Sequence, residues 1–165
     1  MRNPNFKYPD TKSYETVIKT LKSRGIQINQ IADIAYEMTH EFVPQNTKEH
    51  TYNVTVNVLH KRDLLNTAMI MLDLDRLAEE HRLSQPLNDI ITNDAGVFGV
   101  DEDLALSIST LYGPIGATNF GYLDRVKEGI IKEIDTRHGH VTTFLDDLIG
   151  AIVAAVCGKL SHEYA

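Results

Sequence analysis

The sequence predicts an all-α fold, a single-domain multi-helix bundle built around a central small-residue C-terminal helix. Three observations carry that expectation. Apolar residues recur at helical spacing in most segments. The one segment with strand-like alternation has no partner strand of comparable quality, and an isolated strand would leave its backbone groups unpaired. Near the C-terminus Gly150, Ala154 and Gly158 repeat every fourth residue beside Ala151 and Ala155, a face that lets another helix approach closely.

The elements follow in order. Residues 1–10, with two prolines and two asparagines, read as an arm. Tyr14, Val17, Ile18 and Leu21 form the apolar stripe of a first helix that Gly25 ends. Asn29 is placed to cap a second helix through Ile31, Ile34, Ala35 and Met38, stopped by Pro44 near Val43. In the segment 51–59, Tyr52, Val54, Val56 and Val58 alternate as in a strand, but the lack of a partner favours a helix. Asp63 is placed to cap a long helix through Leu64, Leu65, Ala68, Met69, Leu72 and Leu77, ending near His81. The runs 87–91 and 104–112 supply two further apolar faces. After Gly113, Pro114 and Gly116, Phe120, Leu123, Ile130, Ile131 and Ile134 give another stripe, broken around Gly129. The last helix is expected over about 143–158. No repeat or low-complexity linker divides the 165 residues, so one domain over the whole chain is expected.

Composition excludes several classes. With 42% hydrophobic and 24% charged residues, the chain can bury a core and is not a disordered one. A net charge of -7 with no basic block argues against nucleic acid as a partner, because backbone binding draws on clustered Lys and Arg. The lone Cys157 lies in an apolar stretch, reads as a core residue and fits a reducing compartment. The first residues carry no apolar run of the secretory kind and no stretch is long enough to span a bilayer, so a cytoplasmic protein is expected.

Three acidic features stand out. Asp94 and Gly96 precede the consecutive acids Asp101, Glu102 and Asp103; Asp124 and Lys127 lie three residues apart; and Asp146-Asp147 sits inside an apolar run. Adjacent helical residues point about 100° apart, so Asp146 and Asp147 cannot both be fully solvated if the flanking Leu145, Leu148, Ile149 and Ile152 are packed. A buried carboxylate needs a cation, a basic side chain or N-cap donors. Mg²⁺, hard and oxygen-loving, meets that need. A plainer reading also holds: Thr143 and Asp146 have capping-box-like spacing, and acids in a first turn favour the helix dipole.

The order of these features resembles the phosphatidylglycerophosphatase A family. Asp94, Gly96, Asp101 and Glu102 resemble its first acidic motif, Asp124 with Lys127 its Asp-x-x-Lys, and Asp135, the loop with His138, Gly139 and His140, and Asp146-Asp147 its C-terminal motif. The run 93–158 is covered in one order, and the likeness is to the soluble branch that includes low-temperature-requirement C proteins. The resemblance implies a helical fold, Mg²⁺ dependence and removal of the terminal phosphate from phosphatidylglycerophosphate. The Gly-Thr-rich N-terminal motif and hydrophobic spans of the membrane enzymes are absent from residues 39–63.

These readings combine into an expected mechanism. Mg²⁺ sits on Asp101, Asp124 and Asp146, with Asp94, Glu102 and Asp147 as outer ligands or base. Lys127 neutralises a phosphate oxygen, Arg137 is a second clamp, and His138 protonates the leaving oxygen. The expected partner is a phosphate-ester substrate, a phospholipid by resemblance, reached by peripheral contact with a membrane; the small-residue helix also permits a homodimer. Two rival expectations stand beside this one: a non-catalytic helical protein that binds a metal, a phosphate or another subunit, and a phosphatase of soluble small molecules.

Overall fold

A computed structural model describes residues 2–165, and among them every regular element is helical. Helix α1 (Asp10–Ser23) buries Val17 and Leu21, and the chain leaves it through Gly25 at φ +79°. Helix α2 (Ile28–Thr39) is capped by a reciprocal Gln27–Gln30 box rather than by Asn29, and it ends at Thr39, four residues before Val43. Helix α3 (Lys48–Leu59) settles the ambiguous segment. Its buried residues are Thr51, Val54, Thr55, Val58 and Leu59, a 3.6-residue stripe in which Val54 and Val58 face inward while Tyr52 stays exposed. The strand-like alternation arises because valines happen to stand at every second position around that stripe.

Helix α4 (Arg62–Glu79) begins one residue before Asp63, which lies in the first turn instead of capping it. Short α5 (Leu87–Thr92) leads to α6 (Val100–Ser109), which continues as a 3₁₀ turn over Thr110–Tyr112. Helices α7 (Ile115–Val126) and α8 (Ile130–Asp135) are one apolar stripe split where Lys127 and Gly129 both take positive φ, as the glycine suggested.

Helix α9 (Leu145–Glu163) is the axis of the bundle. Its residues from Leu145 to Gly158 are all buried, with α2, α3, α6 and α7 packed around it and α4 and α8 touching it; α1 lies outside, on α4. The small-residue face is used within the chain: Gly150 lies against Phe120 and Leu123 of α7, and Gly158 against Tyr112. That face is therefore covered within the chain. Cys157 is buried, as expected of a core residue, and burial pushes its thiol up to about 12. Among the described residues no helix is long and apolar enough to cross a membrane.

Candidate metal centre

Two helix N-termini converge on one cavity. The first turn of α6 supplies Asp101 and Glu102, and the first turn of α9 supplies Asp146 and Asp147. The plainer reading of these acids, that they begin helices and favour the dipole, is thus correct as to position, but it does not account for the space they share. Asp94 closes α5 in the left-handed conformation (φ +46°), its N–H donating back to the Ile91 carbonyl oxygen at 3.1 Å. Asp124 comes from the end of α7, Lys127 from the residue that caps it, and Asp135 from the end of α8. With Gly96 and Thr143 these groups line a hollow of about 190 Å³.

The cavity has two unlike sides. On one, the Lys127 ammonium donates to Asp146 Oδ2 at 2.7 Å and Asp124 Oδ1 at 3.0 Å, with Asp135 Oδ1 at 3.8 Å. On the other, oxygens of Asp101, Glu102 and Asp147 all lie within 4.8 Å of one another. Asp101 is only 7% exposed, and its Oδ1, like Glu102 Oε2, is buried and receives no N–H or hydroxyl hydrogen bond. Orphaned buried carboxylate oxygens are costly. Asp147 joins the sides, its Oδ1 standing 4.0 Å from the Lys127 ammonium.

Electrostatics follow the geometry. Burial, reinforced by the adjoining Glu102 carboxyl, raises Asp101 to about 7. Burial and the neighbouring Asp146 raise Asp147 to about 8. Burial also raises Asp146, but the Lys127 charge holds it at about 6. Burial opposes the charge on Lys127, yet Asp146 and Asp124 outweigh it and keep the amine above its usual range. Asp94, at the rim, is shifted upward by desolvation. Metal-free and near neutral pH, Asp101 and Asp147 therefore hold protons more readily than ordinary carboxyls do, protons that a divalent cation would displace.

The donor set passes a fit test for Mg²⁺. Oxygens coordinated at about 2.0–2.1 Å in an octahedron lie roughly 3–4 Å apart, which the three-carboxylate cluster meets with small side-chain movements. The expected ligand set, Asp101, Asp124 and Asp146, lies in one cavity, but its members are not the three carboxylates that stand together. Asp124 and Asp146 are already engaged by Lys127, whereas Glu102 and Asp147, expected as outer groups, stand with Asp101.

Two expected site residues are elsewhere. Arg137 donates through Nη1 to the Arg24 carbonyl oxygen and lines a separate hollow with Arg24 and His140. It belongs to a clamp on the loop before α9, in which Glu79 accepts from Arg24 at 2.9 Å and from the Val141 N–H at 3.2 Å. His138 is exposed on that loop and does not line the acidic cavity, so it has no proton-transfer geometry there.

Sequence reasoning also missed Asp75. This α4 residue is 1% exposed, and both its carboxyl oxygens accept from the Phe144 N–H, Oδ1 at 3.0 Å and Oδ2 at 3.3 Å. It caps α9 from 69 residues upstream, and burial raises it to about 8. Thr143, expected to form a capping box with Asp146, instead donates its hydroxyl to the Ile91 carbonyl oxygen at 2.7 Å. The signal for Asp75 was available: it continues the buried stripe of Ala68, Met71 and Leu72, where an acid needs a reason.

A helical bundle whose central helix and the helices around it aim carboxylates and one amine into a single polar cavity defines a class of acidic-centre protein, and comparison places it more narrowly. Residues 17–162 match the family model described as Phosphatidylglycerophosphatase A, and the chain belongs to that family. It is 42% identical over 145 residues to the uncharacterized protein YutG of Bacillus subtilis, covering 87% of each chain. To the uncharacterized protein YpjQ of the same organism it is 36% identical over 158 residues, covering 96% of this chain and 89% of the relative. The crystal structure of a low temperature requirement C protein from Listeria monocytogenes superposes with a TM-score of 0.88 at 40% identity, over 92% of this chain and 96% of that one.

Proposed function

We propose that this protein is a Mg²⁺-dependent phosphatase that hydrolyses a phosphomonoester, with phosphatidylglycerophosphate as the substrate the family membership favours. The observation that carries the reading is the cluster of Asp101, Glu102 and Asp147 around buried carboxylate oxygens that have no partner, beside a lysine aimed into the same cavity. The three carboxylates would hold the ion. When bound, Mg²⁺ supplies Lewis-acid polarisation of a phosphoryl oxygen.

The chain's own residues do the rest. Lys127 offers an N–H and a positive charge to a second phosphoryl oxygen, drawing the ester into the mouth of the cavity. Asp94, at the rim and shifted upward by desolvation, accepts a proton from the attacking water. The water oxygen bonds to phosphorus as the ester P–O bond breaks; the departing alkoxide takes a proton from solvent at the cavity mouth and leaves as the alcohol, and Asp94 returns the proton it took to solvent with the inorganic phosphate released. Asp75 holds the first turn of α9, and with it Asp147, at a fixed height relative to α6.

Purified protein would be assayed with phosphatidylglycerophosphate in mixed micelles and with soluble phosphomonoesters, each with Mg²⁺ and with chelator. The reading expects Mg²⁺-dependent phosphate release from the lipid, lost in Asp101→Asn. Release from soluble esters alone would move the substrate class, and no release from any ester would leave a non-catalytic metal-binding protein. Activity that survives chelation would exclude the mechanism.

A further inference from the structure

The cavity holds more carboxylate than one divalent ion needs, and the excess is arranged rather than scattered. Around Lys127 Nζ stand Asp146 at 2.7 Å, Asp124 at 3.0 Å, Asp135 at 3.8 Å and Asp147 at 4.0 Å, drawn from α7, α8 and α9. The lysine is fixed at its base. Its φ is +49°, and its N–H donates to the Leu123 carbonyl oxygen at 2.8 Å, so the backbone turns there to send the side chain inward.

Across the cavity the cluster of Asp101, Glu102 and Asp147 has no lysine of its own, and Asp101, 7% exposed, aims an unpartnered oxygen into the hollow. Asp147 belongs to both groups. Two sets of carboxylates sharing a bridging member is the layout of a two-cation centre, in which the cations lie about 3.5–4 Å apart. Here one of the two positions already contains a positive charge that is covalently part of the chain.

We infer that Lys127 occupies the second-cation position of a two-cation centre and so limits the site to one divalent ion. The inference rests on the proposed metal reading of the Asp101, Glu102 and Asp147 cluster and adds to it a stoichiometry and a cause. An ammonium in that position supplies charge to the substrate without needing to be recruited from solution, and it pairs with Asp146 and Asp124 in the resting protein, with Asp135 at 3.8 Å. It carries no exchangeable water, so the second position contributes charge and hydrogen bonds only.

The test is a count of ions. Metal-stripped full-length protein is titrated with Mn²⁺, bound ions being counted by calorimetry and by the paramagnetic resonance signal of free Mn²⁺, and the bound signal inspected for exchange coupling. The wild type binds one uncoupled ion. Lys127→Asn keeps a residue that tolerates positive φ and removes the charge; it binds two ions with a coupled signal. Lys127→Arg binds one. Lys127→Gly, suited to the same φ, carries the same expectation as Lys127→Asn if that variant fails to fold by circular dichroism. One ion in the wild type and still one in both Lys127→Asn and Lys127→Gly overturns this inference and leaves the metal reading standing. Two coupled ions in the wild type also overturn it, and none in the wild type removes the metal reading and the inference together.

Discussion

The two sides of the cavity are made of the same chemistry and differ in one respect. Asp124, Asp135 and Asp146 face an ammonium held within 4 Å, so the fold itself supplies them with a positive partner. Asp101, Glu102 and Asp147 face one another, and burial beside other carboxyls raises Asp101 to about 7 and Asp147 to about 8, favouring their protonated forms in the metal-free chain. The difference teaches that acidity alone does not mark a metal position. An acid whose neighbour is a lysine is finished, whereas a buried acid whose nearest neighbours are acids is waiting for a cation.

The sharpest way to break this comparison is to neutralise one acid on each side. Asp147→Asn is expected to lower Mg²⁺-dependent phosphatase activity by about 10³-fold, since polarisation by a metal is worth several kcal/mol. The same substitution removes a buried, repelled carboxyl, so the metal-free variant melts above the wild type while the stabilisation by Mg²⁺ disappears. Asp124→Asn, on the half-exposed lysine side, is expected to cost less than 10-fold. Equal losses for the two substitutions, measured under saturating Mg²⁺, would erase the distinction between the sides.

A second contrast is in pH. Carboxyls whose folded pKa lies above the unfolded value of about 4 keep their proton in the fold after the unfolded chain has released it. Their contribution is fully present below about pH 4 and is lost as pH rises through about 7 for Asp101 and about 8 for Asp147 and Asp75. Metal-free protein is therefore expected to melt roughly 5–10 °C lower at pH 8 than at pH 5, a difference of a few kcal/mol. Saturating Mg²⁺ should raise the melting temperature much more at pH 8 than at pH 5. Calorimetric scans at the two pH values, with and without the ion, measure both effects; an equal Mg²⁺ shift at both pH values contradicts proton displacement.

The support beneath the cavity gives a smaller effect. Asp75→Ala leaves the Phe144 N–H buried without an acceptor and is expected to destabilise by about 1–3 kcal/mol in denaturant unfolding. A loss below about 0.5 kcal/mol would show that α9 is held without it. Smallest of all, His138→Ala is expected to leave activity within about twofold, because the exposed imidazole lies outside the cavity.

Much of this was legible in the sequence, for physical reasons that can be named. The helical stripes show through because burial enforces a 3.6-residue period, and even the alternating valines of α3 resolve once the missing partner strand is given weight. Asp94, Asp101, Glu102, Asp124, Lys127, Asp146 and Asp147, proposed from three separated segments, line one hollow. Their division into two sides was not legible, since it depends on where the Lys127 backbone turns, and a positive φ at lysine has no sequence signature. Arg137 and His138 were drawn toward the site by nearness in sequence, but the loop that carries them is clamped to α1 and α4 instead. Asp75 escaped notice because its partner is a backbone N–H 69 residues away, visible beforehand only as an acid on an apolar face.

The central claim, that a divalent ion sits on Asp101, Glu102 and Asp147 while Lys127 serves the remaining acids, is tested most directly by anomalous diffraction from crystals of this protein soaked in Mn²⁺. The account predicts a single peak within about 2.3 Å of one oxygen from each of those three residues, with the Lys127 ammonium still bonded to Asp146. A peak among Asp124, Asp135 and Asp146 with Lys127 displaced, or no peak in the cavity at all, would contradict it.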